Sequence, residues 1–307
     1  MIPCYNEQES LPLLYTKLCE VATDPKYTWE FLFINDGSKD NTLSGLKDLA
    51  EKDKRVRYIS LSRNFGKENA MLAGFDFATG DCMVIMDADL QHPPTLIPDM
   101  IALWEQGYED VYARRLDRET DSWLRRKLSR QYYRLLQKVS NVDILQNVGD
   151  FRLLDRKCID ALRQLRETER YTKGMYCWIG FKKKELEFEV ADRIAGKSSY
   201  SYRRLLKLAV NGFTSYTTAP LKISAYIGLV VSLLSFVFMI IYLIKAILYG
   251  DPVQGFPTLI TVILFLGGVQ LLSLGIIGEY LGKVFNETKH RPTYLISETN
   301  CPDEANN

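Results

Sequence analysis

Two apolar blocks near the C-terminal end constrain this chain more than any other feature. "ISAYIGLVVSLLSFVFMIIYLIKAIL" (223–248) and "TLITVILFLGGVQLLSLGII" (258–277) each reach the ~20 residues that a bilayer-spanning helix needs. As buried helices of a soluble domain they would be hydrophobic all round, in succession, with no polar face. Only Lys245 and Asp251 carry charge between Ile223 and Ile277. The expectation is two transmembrane helices over 223–281. Arg203, Arg204, Lys207 and Lys222 precede the first block and Lys283, Lys289 and Arg291 follow the second, while the link "YGDPVQGFP" has no positive charge. Basic flanks stay on the cytoplasmic side, so both large ends are expected there, in an integral inner (plasma) membrane protein. "SYRRLLKLAVNGFTSY", within 201–222, has an apolar side and basic residues elsewhere. It suits an amphipathic interfacial helix or a plain connecting one.

The remainder of the chain reads as a folded domain over 1–200 and a cytoplasmic tail over 282–307, polar and loose after Thr293. With 307 residues, 47% of them hydrophobic, and a net charge of +1, the composition argues against disorder and against a generic basic nucleic-acid binder. Six cysteines form no CxxC pair, and with only two histidines no zinc-ligand spacing exists. They read as reduced thiols. No signal peptide is visible at Met1. "WEFLFIND" (29–36), "VRYISL" (56–61), "CMVIMDAD" (82–89) and "DVYARR" (110–115) read as short buried strands, with helices at 8–22, 40–53, 67–79 and 95–106. Such alternation predicts an α/β fold with a mostly parallel, Rossmann-like sheet. "MIPCYNE" reads as the end of a first strand whose upstream residues are missing.

Ligands of such sheets bind at the carboxyl edge, which directs attention to the loops after the strands. Asp87 and Asp89, two apart on an extended segment, point the same way. Two adjacent anions repel unless one is protonated or a cation is bound. A hard divalent ion such as Mg2+ or Mn2+, sharing its shell with phosphate oxygens, resolves the conflict; the alternative is one aspartate capping a turn and the other solvated. Asp36 ends another strand and is either a turn residue or an acceptor for a nucleobase imide. Tyr5 is available for stacking and Glu7 for a ribose or base contact. "SLSRNFGKENA" adds Arg63 and Lys67, a cationic loop fit for phosphate or for a structural ion pair. His92, beside Pro93, reads as a loop residue.

Together "IPCYNEQESL", "FLFINDGSKDNT", "LSRNFGKENAMLAGFDFATGD", "VIMDADLQHPP", "GDFRLLDRK", "ERYTKGMYCWIGF" and "RIAGKSSYSYRRLLKLAVNG" resemble the family-2 glycosyltransferases of GT-A fold. Within these they resemble the polyprenyl-phosphate subgroup, which includes the dolichol-phosphate mannose synthases and bactoprenol glucosyltransferases. The resemblance spans almost the whole soluble part. It implies that Pro3, Tyr5, Glu7 and Asp36, with Lys67 and Asp87, line a nucleotide-sugar site, and that Asp87, Asp89 and Gln91 bind the metal. Asp87, Asp89 and Asp150 are the catalytic candidates, Asp150 being assigned to sugar positioning. For the lipid phosphate the resemblance implies Arg115, Arg126, Ser129 and Arg193, with Arg114 an alternative to Arg115.

The implied reaction is inverting transfer of a hexose to a polyprenyl phosphate, with glucose from UDP-glucose and undecaprenyl phosphate as the expected pair. UDP-N-acetylglucosamine, a 4-amino-4-deoxyarabinose donor or GDP-mannose would use the same core. The expected partners are a nucleotide sugar, the lipid phosphate and the bilayer, without nucleic acid. A homo-oligomer is left open, and a separate lipid-sugar flippase and a second glycosyltransferase are expected to act downstream. A non-catalytic membrane scaffold or translocator is the reading of another class, and intact Asp36, Asp87 and Asp89 argue against it. A dinucleotide-dependent oxidoreductase lacks its G-x-G-x-x-G.

Overall fold

The computed structural model describes residues 1–115, 148–188 apart from Glu169, 255–302, and scattered positions of 221–248. The chain divides into two compact units, one of residues 1–201 with 291–307 and one of residues 202–290.

In the first unit, β1 (Ile2–Cys4), β2 (Phe31–Asn35) and β3 (Val56–Leu61) pair in parallel. β4 (Cys82–Ile85) joins them through Met1: its backbone N donates to Val84 O at 2.8 Å, and Met86 N donates to Met1 O at 3.2 Å. These bonds follow the parallel pattern, so the carboxyl ends of β1 to β4 lie along one edge. The rest departs from the expected mostly parallel sheet. β6 (Val148–Asp155) runs antiparallel between β4 and β5 (Asp110–Arg115), whereas β7 (Lys183–Phe188) is parallel to β5. The fold is therefore the GT-A type of Rossmann-like α/β domain with mixed strand directions.

Both faces are covered, which is why the strands read as continuous apolar runs. Phe31 and Phe33 of β2 enter one core with α1 (Leu11–Val21), α2 (Thr42–Lys52) and α4 (Ile97–Glu105). Leu32 and Ile34 enter the other with α3 (Lys67–Phe77), α5 (Arg156–Gln164) and α6 (Thr172–Trp178). β1 is three residues long, and beside its start, between Phe31–Leu32 and Cys82–Val84, lies a cavity of about 310 Å³. It contains none of the candidate acids.

The described residues after Thr293, 294–302, are not loose. Ile296–Thr299 forms β8, antiparallel to β3; Asn300 Oδ1 accepts from Tyr58 N at 2.7 Å, and Tyr294 donates its hydroxyl to Asp76 at 2.7 Å. A polar tail becomes a strand here because the free side of β3 offers a ladder of backbone groups that must be satisfied.

In the second unit, α7 (Phe256–Thr288) is 33 residues long, about 50 Å at 1.5 Å per residue. Phe265–Thr288 is long and apolar enough to cross a membrane, and Leu271, Leu272, Leu274 and Leu281 are exposed along it. Every described position of 221–248 is helical. Ser224 donates to Ser273 Oγ at 2.8 Å, and Ser273 donates in turn to Val269 O. The segment 201–220 lies outside the described residues.

Candidate active site

The loops at the carboxyl edge are tied to one another before any ligand arrives. After β1, Asn6 takes φ +57°, its N–H donates to Ser38 Oγ at 2.9 Å, and its side-chain oxygen accepts from Lys39 N at 2.8 Å. Glu7 N donates to Thr42 Oγ1. The Glu7 carboxylate accepts from Ser10 Oγ at 2.5 Å. Burial pushes its pKa up, Ser10 opposes this, and Asp89 and Asp87 add their repulsion, so the three acids share one region. Tyr5 is exposed and free to stack. Pro3 lies within β1 opposite Ile34.

Asp36 follows β2 and is buried. One carboxylate oxygen accepts from Phe65 N at 2.7 Å and the other from Gly66 N at 2.9 Å. Burial raises its pKa and these two N–H groups restrain the rise. Its carboxylate thus holds the loop that leads to Lys67, a role neither sequence-level alternative contained. Gly37 is required beside it: at φ +63° a Cβ would lie 2.3 Å from Arg63 C, and left-handed backbone already favours glycine.

β4 ends at Ile85, so Asp87 and Asp89 do not occupy the extended strand expected over 82–89. Asp89 sits in a turn whose next residue, Leu90, has φ +61°, and its carboxylate accepts from Gln91 N at 3.1 Å. His92 closes the loop: Nδ1 accepts from Asp87 N at 3.0 Å, and the ring stacks on Phe151 at 4.9 Å. Burial lowers the His92 pKa, which keeps Nδ1 free to accept.

Asp150 arrives from the antiparallel strand. Ile85 stands opposite Arg152; continuing that register by two residues sets Asp87 opposite Asp150. Lys67, the first residue of α3, bridges them, with Nζ 2.5 Å from Asp87 Oδ1 and 2.6 Å from Asp150 Oδ2. Burial favours neutral Asp150, but Lys67 and then Lys173 outweigh it and the pKa is lowered. Burial likewise opposes the Lys67 charge, and Asp150 and Asp87 more than reverse that. The other Asp150 oxygen is buried, with no hydrogen-bond partner among the described residues.

Two carboxylates beside a loop are hard donors suited to Mg2+ or Mn2+, yet no group of three or more His, Cys, Asp or Glu residues forms a metal cage among the described residues. That donor set fits an ion that takes its remaining ligands from phosphate and water. Of the residues expected to hold the lipid phosphate, Arg126, Ser129 and Arg193 lie outside the described residues. Arg115 ends β5, its backbone opposite Phe188. Its alternative, Arg114, is paired to Glu185 at 3.0 Å.

Residues 1–163 match the family described as "Glycosyl transferase family 2", and residues 219–284 match "GtrB C-terminal hairpin". The bactoprenol glucosyl transferase of Shigella phage SfV is 43% identical over 296 residues, covering 96% of each chain. The prophage bactoprenol glucosyl transferase homolog of Escherichia coli (strain K12) is 43% identical, covering 96% of this chain and 97% of the other. Uncharacterized glycosyltransferase sll0501 of Synechocystis is 42% identical over 298 residues, covering 97% and 94%. This chain belongs to glycosyl transferase family 2.

Sequence reasoning missed three features of this glycosyltransferase. His92 orients the Asp87 backbone instead of merely lining a loop. Asn35, buried at the end of β2, donates to Ser60 Oγ at 3.0 Å and accepts from Ser38 N at 3.2 Å, holding the turn after β2. Arg152 pairs with Asp110 inside the core, its Nη1 3.0 Å from Oδ2. The signal for the last was a lone arginine in the apolar run "DFRLL", which demands a buried partner.

Proposed function

We propose that this glycosyltransferase moves glucose from UDP-glucose to undecaprenyl phosphate at the cytoplasmic face of the membrane, with inversion at the anomeric carbon and with Mg2+ or Mn2+ at Asp87 and Asp89. The observation that carries the reading is the near-full-length identity to bactoprenol glucosyl transferases in a chain that brings Asp87, Asp150 and Lys67 within ion-pair distance. The apolar hairpin at 223–281 is read as the membrane anchor, and the arginine-rich stretch 114–130 with Arg193 as the grip on the acceptor phosphate.

The acceptor supplies its own nucleophile. A phosphate monoester has a second pKa of about 6, so an oxygen on it is already anionic near neutral pH and no residue has to remove a proton. Asp150 agrees with this assignment: held below the ordinary carboxylate range by Lys67 and Lys173 against the cost of burial, it is a poor base. Its second oxygen, which has no partner among the described residues, is suited to accept from a sugar hydroxyl and so orient the anomeric carbon. Tyr5, exposed beside Glu7, offers a stacking face for the base. Asp36 keeps the Arg63–Lys67 loop at the edge where the diphosphate would lie. A divalent cation, when bound, supplies charge neutralisation for the departing nucleoside diphosphate.

The test is detergent-purified protein with radiolabelled UDP-glucose, undecaprenyl phosphate and Mn2+, beside Asp89→Ala and an EDTA control. Labelled lipid that depends on both Asp89 and the metal is expected. Product from UDP-N-acetylglucosamine or GDP-mannose instead would reassign the donor, and no product from any nucleotide sugar with folded protein would overturn the transferase reading.

A further inference from the structure

Lys67 stands out among the charged groups of the site. Asp87, Asp89, Glu7 and Asp150 gather at one edge of the sheet, and one ammonium touches two of them. Its position is built in. Lys67 opens α3 directly after Gly66, whose N–H is held by Asp36, while the neighbouring Glu68 accepts from Thr172 N at 3.0 Å at the start of α6. Lys67 therefore projects from a helix fixed at two points, and its reach to Asp87 does not depend on a free loop.

We propose that Lys67 is a tethered counter-cation that occupies Asp87 when no divalent ion is bound and yields that carboxylate when the ion arrives. The proposal rests on the reading of Asp87 and Asp89 as ion ligands and goes beyond it, because it assigns a competitor from the chain itself. Two cations cannot both hold Asp87 at close range without mutual repulsion. Lys67 is 2.6 Å from Asp150 as well, so release of Asp87 leaves it anchored beside Asp150. Without the ion it relieves repulsion among the acids. With the ion it stays near the diphosphate and weakens the ion's hold, so that free metal binds poorly until the donor contributes its own oxygens. Lys67 is thus a positioning residue whose effect is on the order of cation binding to Asp87.

The test compares wild type, Lys67→Met and Lys67→Arg as full chains in detergent, with two readouts that need no turnover. Free Mn2+ is followed by electron paramagnetic resonance with and without UDP, and Tm is measured in EDTA and in MnCl2. In the absence of UDP, Lys67→Met is expected to bind Mn2+ about ten-fold or more tightly than wild type, the factor that a single pKa unit of charge interaction represents. Its Tm should fall in EDTA and be restored by Mn2+, and Lys67→Arg should keep the wild-type pattern. Lys67→Met that binds Mn2+ no more tightly, or whose Tm in EDTA equals that of wild type, would overturn the proposal while wild type with UDP still binds the ion. If no variant binds Mn2+ even with UDP, the ion-ligand reading fails and the competition falls with it.

Discussion

Replacing Arg152 by methionine should be the most damaging single change outside the site. Arg152 is 2% exposed and its partner Asp110 fully buried; Nη1 lies 3.2 and 3.0 Å from the two carboxylate oxygens, and the guanidinium carbon is 3.6 Å from the centre of the Tyr176 ring. Breaking such a pair from one side leaves a buried charge, a loss of about 3–5 kcal/mol. For a domain of this size each kcal/mol moves Tm by about 2–4 °C, so a fall of about 6–20 °C follows. The loss has a ceiling, because burial already raises the Asp110 pKa and Arg152 only partly offsets it; without the arginine the carboxyl takes up a proton instead of staying charged. The double variant Arg152→Met with Asp110→Leu removes both charges at similar volume and should recover most of the loss. Tryptophan fluorescence of the full chain in detergent, heated with each variant, measures this. A single variant within about 2 °C of wild type, or a double variant as unstable as the sum of the two singles, would refute the reasoning.

Two further outcomes follow from other parts of the fold. Gly37→Ala places a Cβ 2.3 Å from Arg63 C at φ +63°, so the loop to Lys67 must move; a loss of about 1–3 kcal/mol in stability is expected, with a raised KM for the nucleotide sugar and a smaller change in KM for the lipid. Asp53 accepts from Arg55 and from the Tyr15 hydroxyl, and Arg55, against the cost of burial, holds its pKa down at about 2. A depressed carboxylate stabilises above its unfolded pKa and loses that as pH falls, so Asp53→Asn should cost about 2 kcal/mol near neutral pH. The difference in Tm from wild type should shrink as pH drops from about 4 toward 2.

How much of this was legible follows from what periodicity can and cannot encode. β3, β5 and α3 were readable to within two residues because apolar runs and their turn residues are local signals. Strand direction was not: β6 enters between β4 and β5 only after residues 116–147, and nothing in "VGDFRLLD" announces which neighbour it takes or in which sense. For that reason the sheet was expected to be mostly parallel, and the alignment of Asp87 with Asp150 stayed hidden although both residues had been singled out. Asp87 and Asp89 were found by their place at the end of an apolar run, yet the strand stops at Ile85 and a turn with Leu90 at φ +61° follows, a backbone state that leucine rarely marks in sequence. β8 was missed since Ile296 and Glu298 alternate too briefly to outweigh the polar residues around them. Their partner, the edge of β3, is more than two hundred residues away.

α3 explains how one short helix serves the site and the core together. Every residue from Ala70 to Asp76 is buried, and a Cβ at Gly74 would lie 2.5 Å from the Met1 side chain, so the helix packs closely on its surroundings. At its start Lys67 reaches the acids and Glu68 holds α6. At its end Asp76 accepts from Arg166 at 2.7 and 2.8 Å and from Tyr294, the residue that leads into β8. A charge carried on an element packed in this way keeps its place better than one carried on a loop. The division of labour in the site is then physical: Asp87 and Asp89 are carried by the loop after β4, with Asp89 in its turn, and the cation opposite them is carried by a packed helix.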